Sequence, residues 1–220
     1  MCRWQKTCTE LETDIKLWNH ETPLLPPIWF NDELEKFITA FVCAVNGDIS
    51  KSIEILWTIK SDELRNWYCE HGQISGTFRK KVLKIDTQKP NNLILDTLRA
   101  PDKYANEVFM RDTYTCQYCN MRVLPKEIFA IYSKIVGAHI FQATGTNNER
   151  HGIVLAFRAN ADHVIPWTHG WQTDPSNLVS CCWSCNYGKA GYTLDEIGLR
   201  NPFEKKQTNT DWKWLTEYLL

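Results

Sequence analysis

Three short stretches of this 220-residue chain hold residue types suited to hydrolytic metal chemistry. Asp162-His163-Val164-Ile165-Pro166 sets a carboxylate beside an imidazole. Asn177 follows His163 by fourteen residues, and Asn186 follows Asn177 by nine, directly after Cys182-Trp183-Ser184-Cys185. A second Cys-x-x-Cys pair, Cys116 and Cys119, lies upstream. The Asp162 carboxylate and the Asn186 carbonyl are hard oxygen ligands, which suit Mg2+ or Mn2+ better than zinc. An imidazole, with an ordinary pKa of ~6.5, can be neutral at physiological pH and take a proton from water. A metal beside it would polarise a phosphoryl oxygen and steady the leaving oxygen.

The cysteines point to a second job. Each two-residue turn can aim both thiolates at one ion, and two such pairs make a tetrahedral zinc site. Four sulfurs leave no open position, so such a site is structural. The alternatives are a redox pair or plain buried thiols; two pairs flanking one segment favour zinc. Cys181 with Ser184 makes no pair, so Cys182 with Cys185 sets the register. The pairs stand 63 residues apart, far more than the ~15–20 of a simple ribbon, so the site has to be built inside that gap. Asp162-His163 alone would read as a core histidine beside a turn aspartate. The company of both asparagines and both cysteine pairs favours a site instead.

The combination Arg111-Asp112-x-x-x-Cys116-x-Tyr118-Cys119, Asp162-His163-Val164-x-Pro166, Gly170, Asn177-Leu178-Val179 and Cys182-x-x-Cys185-Asn186-x-x-Lys189 resembles the HNH endonucleases, ββα-metal nucleases with a four-cysteine zinc finger. The resemblance covers roughly residues 109–200. It implies His163 as general base, with Asp162 and Asn186 as ligands to Mg2+ or Mn2+. It further implies Asn177 as the residue pinning the loop between strands, and Lys189 as a cation for phosphate or for transition-state charge. Many members carry histidine where Asn186 stands. The interval from Cys119 to Asp162 is longer than the family usually shows, so residues 125–152 read as containing an insertion. The implied reaction is phosphodiester hydrolysis leaving 5′-phosphate and 3′-hydroxyl ends.

The elements that must position these groups follow from periodicity and punctuation. Adjacent strand residues point opposite ways, so Asp162 and His163 share a target only if the chain bends there; Val164-Ile165-Pro166 and the loop containing Gly170 could supply the bend. The apolar run Ile153-Val154-Leu155-Ala156-Phe157 reads as a strand leading into Asp162. Leu178-Val179 reads as a second short strand, with a helix from Tyr187 onward. Pro125 opens a helix over 125–136. Upstream, one short helix is expected near 8–18. Asn31 reads as the cap of a helix carrying Leu34, Phe37, Ile38, Phe41, Val42 and Val45, ended by Gly47. Asp48 or Ser50 caps the next, with Ile53, Leu56 and Trp57 inward. Ser61 caps a third, with Leu64, Trp67 and Tyr68 inward, and Gly72 and Gly76 break it. The fold expected is α+β: a helical domain over 1–86, a linker over 87–108 with a short helix at 93–98, a zinc-stapled nuclease domain over 109–205, and a C-terminal helix over 206–220.

Residues 47–64 have the spacing of a helix-turn-helix, but Trp57 stands where glycine is usual in the turn and Ile53 where a small residue is usual, which favours a plain helical bundle. Net charge is −1, so no general pull on polyanions exists, and nucleic acid must be met by local patches such as the basic run over 79–84. Arg158, just before the Asp162 strand end, reads as a substrate-backbone contact or a solvated face, and His169, in the following loop, as loop surface or a substrate-phosphate contact; Arg111 with Asp112 reads as a structural pair. Nine cysteines, an opening without a secretory pattern and the lack of a ~20-residue apolar run lead to the expectation of a cytoplasmic protein that does not enter membranes. The expected partner is DNA, as duplex, with a homodimer suited to cutting both strands and a role in restriction or defence. The rivals are a zinc-finger module that binds nucleic acid or protein without cutting, and an RNA-cleaving toxin.

Overall fold

The computed structural model describes residues 5–6, 8–88 and 99–205. The helices expected over 93–98 and 206–220 lie outside the described residues. The fold is α+β, with helices followed by one two-stranded antiparallel sheet.

Helix α1, Phe30–Val45, buries Phe30, Leu34, Phe37, Ala40, Phe41 and Ala44 along one face, the stripe that a 3.6-residue period demands. It starts one residue before Asn31, which therefore lies inside its first turn. The Phe30 and Asn31 amides already donate to Pro27 O and Ile28 O, so Trp29 holds the cap position. Helix α2, Ile49–Trp57, is capped as expected by Asp48, whose carboxylate accepts from Lys51 N at 3.2 Å. Trp57, expected inside, is 73% exposed because Leu56 and Ile59 take the core positions. In α3, Ser61–Trp67, Ser61 is not the cap. Its hydroxyl instead accepts from Gly152 N at 2.8 Å, while the buried Glu33 carboxylate accepts from Lys60 N at 2.8 Å. Leu64, Trp67 and Tyr68 are buried as expected. The outer face of α3 carries the exposed acids Asp62 and Glu63, which repel phosphate.

A π-helical turn, Tyr68–Gly72, leads to α4, Ser75–Leu83. Gly76 sits inside α4 rather than breaking a helix. It is there for space: a Cβ on Gly76 would lie 2.0 Å from Gly188 O, so only glycine lets the backbones approach this closely. Two of the four cations of the basic run over 79–84 are spent internally, while Lys81 and Lys84 stay exposed. Arg79 is buried, donating to Pro23 O, Asn19 O and Ile197 O, and Lys80 pairs with Glu196 at 2.9 Å.

After α5, Ala105–Arg111, the chain makes the first cysteine turn and then α6, Lys126–Val136, behind Pro125. The segment expected as a strand is helix α7, Gly152–Phe157, opened by His151 Nδ1 accepting from Ile153 N at 3.3 Å. All six of its residues are buried, so neither helical nor strand alternation is visible there. Strand β1, Ala159–His163, pairs antiparallel with β2, Leu178–Cys182, so that His163 lies opposite Leu178 and Ala159 opposite Cys182. Helix α8, Trp183–Lys189, follows β2 without a break, four residues earlier than expected. Helix α9, Leu194–Ile197, opens with a capping box of Thr193 and Glu196. Phe30, Leu34 and Tyr68 from the early helices share one apolar core with Phe157, Trp183 and Cys182.

Candidate active site

The β1–β2 hairpin and α8 supply two neighbouring clusters. In the first, the Sγ atoms of Cys116, Cys119, Cys182 and Cys185 all lie within 4.8 Å of one another. Cys182 ends β2 and caps α8, and its sulfur accepts from Cys185 N at 3.4 Å; Cys116 Sγ accepts from Cys119 N at 3.5 Å. These amide–sulfur bonds stabilise thiolates facing a cation. Hydrogen bonding from Cys116 and Cys119 pushes the Cys182 thiol up, and burial does the same for Cys185. At Cys116 burial is outweighed by hydrogen bonding from the neighbouring cysteines, which holds its thiol well below the ordinary range. Sulfur-only donors in such a closed shell could bind zinc. Cys181 is buried outside this cluster and donates to Asn160 O at 3.5 Å. Around the first turn, Arg111 forks onto Asp112 at 2.7 and 3.0 Å and donates to Pro175 O and Leu178 O; Asp112 accepts from Ser180 N at 2.6 Å. The Arg111–Asp112 pair thus ties α5 to β2.

The second cluster opens to solvent in a cavity of about 420 Å³ lined by Asn160, Asp162, His163, Asn186 and Lys189, with Arg99, Trp183 and Tyr187 at its walls. Asp162 and His163 reach it together because β1 ends at His163 and the chain turns through Pro166 into a 3-10 turn, Trp167–His169. Gly170 ends that turn at φ 87°, a left-handed conformation that favours glycine. Asn177, 2% exposed, holds the loop from inside: its Oδ1 accepts from Ile165 N at 2.9 Å, and its Nδ2 donates to Ile165 O at 3.0 Å and Gln172 O at 3.2 Å.

His163 is 4% exposed, and its Nε2 shares a hydrogen bond of 2.8 Å with Thr173 Oγ1. Burial pushes its pKa down, Asp162 opposes this, and Arg99 and Lys189 add to it. The net direction keeps the ring neutral at physiological pH, as a base requires. Asp162 accepts on one oxygen, Oδ2, from Tyr118 OH at 2.8 Å and pairs there with Lys189 Nζ at 3.2 Å. Asp162 and the half-buried Asn186 line the same cavity, and their carboxylate and amide oxygens are hard donors, a set that fits an oxygen-preferring divalent cation.

Lys189 departs from the role that the resemblance implies. It is fully buried, and its ammonium donates to His163 O at 2.7 Å besides pairing with Asp162, so it is engaged within the protein. Arg158 does not line this cavity; its guanidinium stacks at 5.0 Å over Trp183, which Arg150 covers at 4.8 Å. His169 is likewise outside the cavity lining, with Nε2 3.5 Å from Thr87 Oγ1. Tyr118, Thr173 and Arg99 are the groups sequence reasoning left without a role. Tyr118 stood inside the cysteine motif and so was open to notice; nothing in the spacing marked the other two.

One comparison with known proteins bears on the class. Residues 152–190, from α7 through α8, match the family model of the HNH endonuclease. That segment contains β1, β2, Asp162, His163, Asn177 and Asn186, and the match supports nuclease chemistry and metal dependence at the level of the family. Neither the curated proteins nor the solved structures gave a match. No helix among the described residues is long and apolar enough to cross a membrane.

Proposed function

We propose that this protein is a divalent-cation-dependent endonuclease acting on duplex DNA. The observation that carries the reading is the convergence of a neutral-leaning, buried His163 with Asp162 and Asn186 on one open cavity, beside a separate four-cysteine cluster. In the tautomer that donates from Nε2 to Thr173, Nδ1 holds the lone pair that accepts a proton from water. The hydroxide so formed attacks phosphorus, the bond to the 3′ oxygen breaks, and that oxygen leaves protonated by solvent. Products are a 5′-phosphate and a 3′-hydroxyl. Asp162 and Asn186 would hold Mg2+ or Mn2+, which supplies charge neutralisation for the phosphate and the departing oxygen. Asn177 acts by fixing the loop that follows His163, and Thr173 by fixing the ring. The four cysteines hold zinc in a structural role.

The reading is tested by incubating supercoiled plasmid with the protein and Mg2+ or Mn2+, then sequencing the ends. Metal-dependent nicks with 5′-phosphates are expected. A protein that folds with zinc yet binds DNA without cutting would support a non-catalytic zinc-finger module instead. Cleavage confined to RNA would support the toxin reading.

A further inference from the structure

The charges around the cavity are unusual for a site meant to hold a divalent cation by itself. Among the residues lining it, Asp162 is the one carboxylate, and Arg99 and Lys189 are cations. Lys189 is fully buried and lies 3.2 Å from the Asp162 oxygen that also accepts from Tyr118. The two donors share one Asp162 oxygen, Oδ2. The Asp162–Lys189 pair is neutral as a unit, so Asn186 and Asp162 present no net negative charge to an incoming cation. Such a site should attract a divalent ion weakly, because a low-dielectric neighbour of like sign is poorly screened. A phosphodiester brings the missing negative charge and further hard oxygens.

We propose that Lys189 is a positioning residue that makes cation binding depend on substrate: Mn2+ or Mg2+ and the DNA phosphate complete the Asp162–Asn186 centre together. This rests on the nuclease reading above. Lys189 holds the Asp162 carboxylate through Oδ2 and lowers the affinity of the free protein for the cation. The substrate phosphate then supplies the negative charge that the neutral Asp162–Lys189 pair does not offer the cation. Because linkage is reciprocal, the cation must tighten DNA by the same factor as DNA tightens the cation.

The test uses the full, zinc-loaded chain carrying His163→Ala, so that DNA stays intact, with Mn2+ as the probe. Free Mn2+ is followed by electron paramagnetic resonance with and without a duplex oligonucleotide, and duplex binding by fluorescence anisotropy with and without Mn2+. Mn2+ should bind at least about tenfold more tightly with the duplex present, with an equal gain for the duplex. Adding Lys189→Met should tighten Mn2+ in the absence of DNA by on the order of tenfold and shrink the gain from DNA. Lys189→Arg should restore the dependence. Equal Mn2+ affinity with and without duplex overturns the proposal, without needing either lysine variant to fold. So does unchanged Mn2+ affinity in a Lys189→Met protein of normal zinc content and melting temperature. If Asp162→Ala changes Mn2+ binding in neither state, the metal-centre reading itself fails, and the coupling with it.

Discussion

Two clusters hang on the same hairpin and helix, and they are built in opposite ways. The cysteine cluster is closed: four sulfurs within 4.8 Å, three of them fully or nearly fully buried, with backbone amides turned onto sulfur. The Asp162–His163–Asn186 cluster lines an open cavity of about 420 Å³ and uses oxygen and nitrogen donors. They meet on α8 at adjacent residues, Cys185 in one cluster and Asn186 in the other. Soft donors in a closed shell bind an ion for structure, and hard donors beside an open volume leave room for substrate. Strand β2 and the start of α8 therefore transmit the stability of the first cluster to the geometry of the second.

Variants can pull the two clusters apart. The largest effect is expected from Cys182→Ala, which removes both a proposed zinc ligand and the side-chain cap of α8. Apparent zinc binding worth ~10–16 kcal/mol in finger peptides exceeds the net stability of most domains. Loss of zinc, of cooperative melting and of cleavage together is expected by metal analysis and circular dichroism; a folded, active variant would remove the structural role of the cluster. Next comes His163→Ala, expected to lower cleavage by roughly 10²–10⁴-fold with zinc content and melting unchanged.

Gly76→Val probes the contact between the early helices and α8. A side chain there meets Gly188 O, a backbone atom at 2.0 Å from the first added carbon. Destabilisation of about 1–3 kcal/mol is expected from overpacking, together with weaker cleavage because α8 must shift. A denaturant midpoint equal to that of the parent would show that this approach is not tight. Asn177→Ala removes three hydrogen bonds to the loop; kcat should fall more than zinc content or stability changes, as steady-state kinetics would reveal.

The smallest effect concerns pH. Burial pushes the His151 pKa down to about 4, so the folded state resists a proton that the unfolded chain accepts below ~6.5. Stability from this group is present above that value and is lost as pH falls toward about 4. His151→Gln should flatten the pH dependence of the melting temperature across that window and leave the cleavage site intact; an unchanged slope would place its cause elsewhere.

The site was more legible in the sequence than the scaffold. Cys116, Cys119, Cys182 and Cys185 declare themselves because metal geometry constrains their spacing, and Asp162, His163 and Asn186 because their chemistry converges. Helix α7 misled because a fully buried β-branched run carries no periodicity. The early start of α8 was hidden because Cys182 doubles as its cap. Gly76 resembled a breaker, and its reason, the approach of Gly188, lies 112 residues away. Thr173 and Arg99 reach the site through tertiary folding alone. The buried pairing of Lys189 with Asp162 could not be read from a motif that fixes spacing but not direction.

The central claim is that the open cavity cuts DNA while the cysteine cluster only supports it. The direct measurement is nicking of supercoiled plasmid by the parent and by His163→Ala at equal zinc content, each with Mg2+ and with EDTA for a time too short to strip zinc. Cleavage by the parent in Mg2+, with none in the other three reactions, is the expected result. Cleavage by the His163→Ala protein at the parental rate would contradict it.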